Sequence, residues 1–277
     1  MKGADFTVKC ALIAGALAGG CAHSPAPGEI WDTRAERFVS AHDVYARAAR
    51  ATHVILGETH DNPEHHRLQR LALERLTGPR ALAMEQFDSE YQAAIDAAPA
   101  NAEAIADGGH FDRKGWNWPL YRPLVEFAVE HRWPIIAANL SRTEARRIVR
   151  DPAASGLPPA PEVAKALERD IAESHCGERP PPKLLAGMVE AQRARDAHMA
   201  SRLGSRTVLI TGSGHARRDR GVPLYLPGAD VVSIGFMELD ADKKSPRDYL
   251  TGLFTPASFD YVWFTPRATR RDPCRPA

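Results

Sequence analysis

The chain has 277 residues, of which 44% are hydrophobic, and its 36 basic and 35 acidic residues leave a formal net charge of +1. This length and composition suit one α/β domain with a complete core. The balanced charge lacks the basic field that nucleic-acid binding requires, so we expect no nucleic-acid partner.

Residues 1–20 have the pattern of a secretory signal peptide, because Lys2 and Lys9 flank a short n-region and a run of small and apolar residues, Cys10 to Gly20, follows it. The run is too short to cross a bilayer as a stable helix. It ends in Leu17-Ala18-Gly19-Gly20-Cys21, which resembles a bacterial lipobox and predicts acylation of Cys21, palmitate included. The alternatives are an ordinary cleaved signal peptide or a plain anchor.

A lipid on Cys21 would make residues 21–30, with two prolines and a glycine, a tether to the membrane. Ala22, and not aspartate, follows the cysteine, which by resemblance to bacterial lipoproteins favours the outer membrane. We therefore expect a lipid-anchored protein that faces the periplasm or the cell surface. Residues 31–277 then form a single domain.

The positions of the cysteines agree with a location in the periplasm or at the cell surface. Of the four cysteines, Cys10 would leave with the signal peptide and Cys21 would carry lipid, so Cys176 and Cys274 remain. An oxidising compartment favours a disulfide that ties the C-terminal tail to the helical middle of the chain. Two free thiols are the alternative.

Residues 53–66 predict a strand, a tight turn and a helix. Val54 to Leu56 is an apolar run typical of a buried strand. Asn62 is a good N-cap and Pro63 suits the first helical position. In a parallel α/β sheet such a turn lies at the carboxyl edge, where ligands bind.

Ionisable residues occupy this turn. Glu58 and His60 are two positions apart, so they point to one side if the strand geometry persists, and we expect them to be functional. His65 and His66 fall in the first turn of the helix, where they could either join the site or lie on a solvated face.

Three further apolar runs end in polar residues, Glu85, Asn139 and His215. Asn139 could bond a ligand or merely cap a helix. The alternation of strands with helices predicts an α/β fold with a mostly parallel sheet flanked by helices. All the strand ends then lie at one edge of the sheet.

Three other segments complete the prediction. Residues 30–51 are expected to form a helix, and residues 99–118 a loop over a cleft. In that loop Trp116 and Trp118 suit a flat ligand or plain packing. Residues 152–204 predict a helical insertion before the fourth strand.

Two carboxylates and two imidazoles should therefore share one cleft: Glu58, Glu85, His60 and His215. Such a set could bind a divalent metal ion and activate water, with Glu58 or Glu85 as general base. It could equally surround an anionic or metal-containing ligand. The residues alone slightly favour a metal-dependent hydrolase.

Several short motifs occur together along nearly the whole mature chain. They are Gly57 to Asn62 with His65 and His66, Met84 to Phe87, Ala138 and Asn139, Gln192, Arg195, Asp196, Met199 and Ala200, Gly212 to His215, Gly221 to Pro223, and Asp260 to Pro266. In combination they resemble the ChaN family within the haem-binding uptake, Tiki and erythromycin-esterase-like superfamily.

The resemblance implies an iron-regulated lipoprotein that binds haem and serves iron or haem uptake, with a haem-uptake receptor as a further partner. In this family haem pairs can sit at a homodimer interface with tyrosine as an iron ligand. The candidate haem-binding residues implied here are His60, His65, His215, Tyr121 and Tyr225. Tyr261 is a further candidate, although each tyrosine is more easily explained as structural.

The wider superfamily looks related to Tiki-type metalloproteases and erythromycin esterases, whose Gly-Glu-x-His and Gly-x-x-His turns match Glu58, His60 and His215, with Glu85 as acidic partner. Two functions are therefore expected, haem binding first, on the family resemblance. A metal-dependent hydrolase is the alternative.

Overall fold

The computed structural model describes residues 23–76, 78–250, 258–270 and 274. The predicted signal peptide and the predicted lipid site at Cys21 lie outside these residues. No helix in the described ranges is long and apolar enough to cross a membrane.

A single eight-stranded sheet runs through the described part of the chain, in the order β2-β1-β8-β7-β3-β6-β4-β5. Its strands are β1 (Ile30–Asp32), β2 (Arg37–Val39), β3 (His53–Glu58), β4 (Ala81–Asp88), β5 (Ile135–Asn139), β6 (Thr207–Gly212), β7 (Val231–Glu238) and β8 (Tyr261–Thr265). The strands from β8 to β5 pair in parallel, and β1 is antiparallel to both of its neighbours. The predicted α/β fold with a mostly parallel sheet is confirmed.

Helices cover both faces of the sheet. They are α1 (Ala41–Arg50), α2 (Pro63–Arg75), α3 (Gln92–Ala97), α4 (Ala102–Gly108), α5 (Trp118–Glu130), α6 (Arg142–Arg150), α7 (Pro161–Ser174), α8 (Pro182–Arg202) and α9 (Ser213–Ala216). Side chains of Ser40, Asn62, Asn101 and Ser141 accept backbone N–H bonds at four of their N-termini, as capping residues do.

The central strand β3 is buried along its whole length between β6 and β7. Because both faces of a parallel sheet are covered, its strands are apolar runs without alternation. Val54 and Leu56 pack into the core on one face, and Ile55 into the core on the other. This burial fixes the carboxyl end of β3, and with it the direction of Glu58.

The predicted helix over residues 30–51 was wrong in its first half. Ile30–Asp32 and Arg37–Val39 form a short antiparallel hairpin, and the helix begins only at Ala41 after the Ser40 cap. The aromatic rings of Trp31 and Phe38 contact each other across this hairpin, with centroids 5.0 Å apart. Pairing of β1 with β8, far along the chain, outweighs the local helical tendency.

In two other segments the structure adds detail to the prediction from the sequence. The predicted loop at residues 99–118 contains helix α4, which starts where the side chain of Asn101 accepts the N–H of Ala104. Helices α7 and α8 fill the stretch predicted as an insertion. A disulfide joins Cys176, just after α7, to Cys274, with their Cα atoms 5.3 Å apart.

Candidate functional site

A cleft of about 850 Å³ opens at the carboxyl edge of the sheet, where β3, β4, β5 and β6 end. This is the edge at which α/β folds bind ligands. The four side chains that the sequence analysis placed together, Glu58, His60, Glu85 and His215, all line this cleft. Asn139, at the end of β5, lines it as well.

Glu58, the last residue of β3, has a completely buried side chain. The hydroxyl of Tyr121 donates to its Oε1 atom at 2.6 Å, and Nδ1 of His60 donates to the same atom at 3.0 Å. A buried carboxylate is tolerated only when donors replace its lost water. Glu58 is therefore an acceptor that holds two neighbouring side chains in place.

His60 is the exposed member of this group, since 46% of its side chain is accessible to solvent. The ring of Trp116 lies edge-on to its imidazole, with centroids 4.6 Å apart. Burial lowers the pKa of His60, but the hydrogen bond to Glu58 and the charge of Glu85 outweigh it and raise the pKa above the ordinary value. With Nδ1 bonded to Glu58, the Nε2 edge of the ring is left for a ligand.

The other two histidines of this segment are buried below the cleft. His65 accepts the N–H of Thr59 at Nδ1, and its Nε2 donates to the hydroxyl of Thr265, each at 2.8 Å. Burial lowers the pKa of His65 to about 4, so the ring is neutral. The structure thus gives His65 a structural place and not the expected haem contact.

His66 likewise faces inward and not solvent, as only 4% of the residue is exposed. Its Nε2 donates to the carbonyl oxygen of His60 at 2.9 Å, and its Nδ1 lies 3.2 Å from Oε2 of Glu58. The solvated-face interpretation of these two histidines was therefore wrong. The helix presents them to the core behind Glu58.

On the other side of the cleft, His215 lies between two buried carboxylates. Its Nδ1 is 2.6 Å from Oδ1 of Asp196, and its Nε2 is 3.4 Å from Oε1 of Glu85. The second oxygen of Glu85 accepts from the hydroxyl of Thr211 at 2.6 Å and from the N–H of Gly212 at 2.8 Å. Helix α8 contributes Asp196, so the insertion completes the site.

These contacts set the charges of the group. Burial lowers the pKa of His215, but Glu85 and Asp196 together raise it to about 10. Burial raises the pKa of Asp196 to about 6, and His215 limits that rise. Burial would also raise the pKa of Glu85, yet His215 and the donated hydrogen bonds hold it well below its usual range. At neutral pH, His215 is an imidazolium.

His215 comes close to the sheet because Gly57 has no side chain. A Cβ atom on Gly57 would lie 2.6 Å from Cβ of Ala216 in α9. This short helix follows β6 directly, so the missing side chain lets α9 pack on β3 and turn His215 into the cleft.

Aromatic rings form a further wall of the cleft. Tyr91 and His110 stack on each other with centroids 4.3 Å apart, and both line the cleft with Trp116. His110 has a φ of 51°, in the left-handed region that non-glycine residues rarely adopt. Trp118 instead lies in the core, where its indole N–H donates to Glu103 at 2.8 Å.

Several residues of the cleft have no role that was predicted from the sequence. Tyr91 follows β4 in a turn, Arg142 begins α6, and Arg195 lies in the middle of α8. All three line the cleft. The position of Tyr91, just beyond a strand end, resembles the signal that identified Glu58, and Arg195 belongs to the motifs that carry the family resemblance.

The sequence profile of a family described as "Haem-binding uptake, Tiki superfamily, ChaN" matches residues 44–226. The chain belongs to the ChaN family. The resemblance noted from the motifs is therefore confirmed, and the matched range contains the four cleft residues Glu58, His60, Glu85 and His215.

Among solved structures, this chain resembles a structure titled "Cofacial heme binding to ChaN of Campylobacter jejuni". The two share 24% identity over 84% of this chain and 95% of that one, with a TM-score of 0.68, which shows a common fold. The type III effector HopBA1 matches at 14% identity over 81% and 92% of the chains, with a TM-score of 0.41, too low to bear on function. No curated protein sequence matches the chain significantly.

The tyrosines proposed from the sequence do not line the cleft of this chain. Tyr121 is completely buried, and burial together with the charge of Glu58 raises its pKa, so it remains a phenol that donates. Tyr225 packs against the core of the other face, and Tyr261 lines a separate cavity beside Asp32. Tyr91 is the tyrosine that the cleft presents.

The divalent-metal alternative gains no support from the cleft. Within the ranges that the structure describes, no group of three or more His, Cys, Asp or Glu side chains is arranged to hold a metal ion. A metal-binding imidazole must offer a lone pair. His215 is protonated and both its nitrogens face carboxylates, so it has none to offer.

Haem, in contrast, fits the residues present. The cleft volume lies in the range of roughly 300–1,000 Å³ common for small-molecule sites. Aromatic side chains of Tyr91 and Trp116 suit a flat ring system, and His60 presents a half-exposed imidazole. Arg142 and Arg195 add positive charge for an anionic group.

Proposed function

We propose that this ChaN-family protein binds haem in the cleft at the carboxyl edge of its sheet, with His60 as the residue that contacts the iron. The observation that carries the proposal is the orientation of the His60 ring. Its Nδ1 bonds to the buried carboxylate of Glu58 at 3.0 Å, while almost half of the side chain is exposed in the cleft.

Histidines that bind metals usually donate their other ring N–H to a carboxylate or carbonyl group, which fixes the tautomer and the ring direction. Glu58 performs this task for His60, and Tyr121 in turn fixes Glu58. The chain's own residues thus preorganise an imidazole, and bound haem would supply a redox-active iron. Tyr91, the cleft tyrosine, is the second candidate ligand.

We further propose a cellular role in iron or haem uptake at the bacterial outer membrane. The support is the signal and lipobox pattern that ends at Cys21, together with membership of a family described by haem-binding uptake. A lipid on Cys21 would anchor the chain facing the periplasm or the surface, where a haem-uptake receptor could exchange haem with it. The cofacial haems named for the Campylobacter jejuni protein suggest a homodimer.

A haemin titration tests the binding proposal. We expect the purified protein to shift the Soret band of haemin with saturable stoichiometry, and His60→Ala to shift the band position and weaken binding at least tenfold. His42→Ala, which removes an exposed histidine on α1, is the matched control and should bind as the wild type does. A wild-type protein that leaves the haemin spectrum unchanged would exclude the function.

One observation favours hydrolysis as a second candidate function. His60, a half-exposed histidine whose pKa Glu58 and Glu85 raise against the effect of burial, lines the same cleft as the buried imidazolium of His215, so two groups suited to proton transfer face one space. Activity on an activated ester that is lost in His60→Ala and resists chelators would support a metal-independent hydrolase. Chelator-sensitive activity would restore the metal-dependent alternative.

A further inference from the structure

Two arginines lie side by side at the amino edge of the sheet, opposite the edge that carries the cleft. Ala81 of β4 and Thr207 of β6 are register partners in the parallel pairing. Arg80 and Arg206 directly precede them, and the N–H of Ala81 donates to the carbonyl oxygen of Arg206 at 2.9 Å. The two arginine side chains therefore leave neighbouring strands at the same level. Neither takes part in the proposed haem site.

Both guanidinium groups contact the carboxyl end of α1. Nη2 of Arg80 donates to three carbonyl oxygens there, at 2.9 to 3.2 Å, which belong to Ala48, Ala49 and Ala51. Nη2 of Arg206 donates to the carbonyl oxygen of Ala49 at 2.7 Å. One oxygen atom thus accepts hydrogen bonds from both groups, and this contact holds two positive charges close together.

Arg80 carries an uncompensated charge in the interior. The residue is only 4% exposed, and its Nε and Nη1 atoms are buried without a hydrogen-bond partner. Burial, and to a smaller extent the charge of Arg206, lower the pKa of Arg80 to about 10, so the guanidinium is still protonated at neutral pH. Within the ranges that the structure describes, neither arginine side chain forms an ion pair. A buried cation of this kind is costly, because it has given up water without gaining a counterion.

Other charges of this edge do not compensate the pair. Asp230 accepts hydrogen bonds from Arg47, and Asp260 accepts one from Arg218 at 2.8 Å. The carboxyl end of a helix carries roughly half a negative charge, which α1 sets against two full positive charges. A net positive charge therefore remains between α1 and the sheet, together with N–H groups that have no acceptor.

We propose that Arg80 and Arg206 bind a small monovalent anion, chloride, at the amino edge of the sheet. Chloride accepts hydrogen bonds from several N–H groups at once and supplies the missing negative charge, whereas a water molecule would satisfy the donors and leave the charge. Because Nε and Nη1 of Arg80 are buried, a single-atom ion suits this place better than a phosphate or a sulfate. Arg206 is half-buried and forms the side of the site that faces solvent. The anion site is independent of haem binding.

Thermal unfolding in chloride and in gluconate tests the proposal. Both salts are used at the same ionic strength, since gluconate is too large for a buried site and keeps the general screening of charges constant. Anything that binds the folded state alone raises the unfolding midpoint with its concentration. At a chloride concentration about ten times the dissociation constant, we expect a rise of about 3–5 °C over gluconate for the wild type. Bromide, a halide of similar size, should act in the same way.

Three variants make the effect specific. Arg206→Gln removes one of the two charges at a half-buried position and should lose the difference between chloride and gluconate. Arg80→Gln should lose it too, while its amide can still donate to the carbonyl oxygens of α1. Arg150→Gln, the matched control, removes an exposed arginine from the last turn of α6 and should keep the full difference. If Arg80→Gln does not fold, Arg206→Gln and Arg150→Gln still form a complete comparison.

Line broadening of the chloride nuclear magnetic resonance signal measures binding directly. The wild type should broaden the signal, bromide should reverse the broadening by competition, and Arg206→Gln should broaden it much less. Equal midpoint shifts in the wild type, Arg206→Gln and Arg150→Gln would reduce the effect to general salt action and overturn the proposal, as would a wild type that does not broaden the signal. Sulfate that stabilises more than chloride, with the gain lost in Arg206→Gln, would overturn the assignment to a small anion.

Discussion

His215 and Asp196 form a buried ion pair, with Nδ1 and Oδ1 2.6 Å apart, and this pair fixes the charge of one side of the cleft. Glu85 lies on the opposite edge of the same imidazole. One imidazolium between two carboxylates leaves a net negative charge on this group. His215 therefore holds its proton at neutral pH, whereas the pKa of His60 is lowered by burial but raised overall by Glu58 and Glu85.

The first prediction concerns stability at alkaline pH. The pKa of His215 is about 10 in the folded protein and near 6.5 in the unfolded chain, so between these values the folded state holds the extra proton. The contribution is fully present below pH 6.5 and is lost as pH rises to about 10. Free energies of unfolding, measured in urea from pH 6 to 10, should fall more steeply with pH for the wild type than for His215→Gln. The difference between the two slopes should correspond to the release of about one proton on unfolding.

Residues that titrate elsewhere in the chain are common to both proteins, so the difference in slope isolates His215. His42→Gln serves as the matched control, because it removes a histidine that is exposed on α1 and lies outside the buried group of the cleft. Parallel curves for wild type and His215→Gln would show that His215 is not protonated in the folded protein.

The second prediction concerns Glu85→Gln. The substitution removes one of the two carboxylates that face the buried imidazolium of His215. Asp196 still compensates His215 in this variant, so the expected loss is that of the charge-assisted hydrogen bonds that Glu85 accepts from Thr211 and Gly212, about 1–3 kcal/mol. Urea unfolding at pH 7 should show this loss, whereas Glu90→Gln, at an exposed position in the following turn, should change stability by less than about 0.5 kcal/mol. Equal stability of the two variants would contradict the charge assignment.

Much of the site was predictable because its signals are local. The apolar run before Glu58, the Asn62 cap and Pro63 marked a strand, a turn and a helix, and the structure has β3 and α2 there. Alternation of strands and helices then implied a parallel sheet, whose strand ends meet at one edge. Glu58, Glu85 and His215 follow from these two facts.

Residues whose position depends on distant packing were not predictable in the same way. The β1–β2 hairpin is stabilised by β8, more than two hundred residues downstream, and resembles a helix in isolation. His65 is buried because Thr265 accepts its Nε2–H from across the sheet. Arg195 belongs to the motifs that carry the family resemblance, but its place in the cleft depends on how α8 packs against the sheet edge, which no local pattern specifies.

The third prediction tests the support of Glu58. Tyr121→Phe removes the hydroxyl that donates to Oε1 of Glu58 at 2.6 Å, in a site without solvent. A buried acceptor that loses a donor should cost about 1–3 kcal/mol of stability. Tyr45→Phe is the matched control, because the Tyr45 hydroxyl is buried with no partner among the described residues, and its removal should be neutral. If thermal unfolding shows the same change in stability for the two variants, the Tyr121–Glu58 hydrogen bond does not contribute to the stability of the fold.

The fourth prediction concerns the disulfide between Cys176 and Cys274, which are 98 residues apart in the chain. Closing so long a loop restricts the unfolded state, so Cys176→Ser should lower the free energy of unfolding by about 2–4 kcal/mol. Reductant should destabilise the wild type to a similar extent and leave the variant unaffected. A reductant effect of equal size on both proteins would show that other thiols are responsible.

The last prediction uses Gly212 to move His60 without removing it. A Cβ atom on Gly212 would lie 2.9 Å from Cε1 and 3.1 Å from Nε2 of His60, so Gly212→Ala must displace the imidazole. The ring is half exposed and can shift, so the fold should survive while haemin binding weakens roughly tenfold, an effect of about 1.4 kcal/mol. Gly214→Ala, two residues away with open space around its Cβ position, should bind haemin normally. Unchanged haemin spectra and affinity in Gly212→Ala would show that the position of the His60 ring does not determine binding.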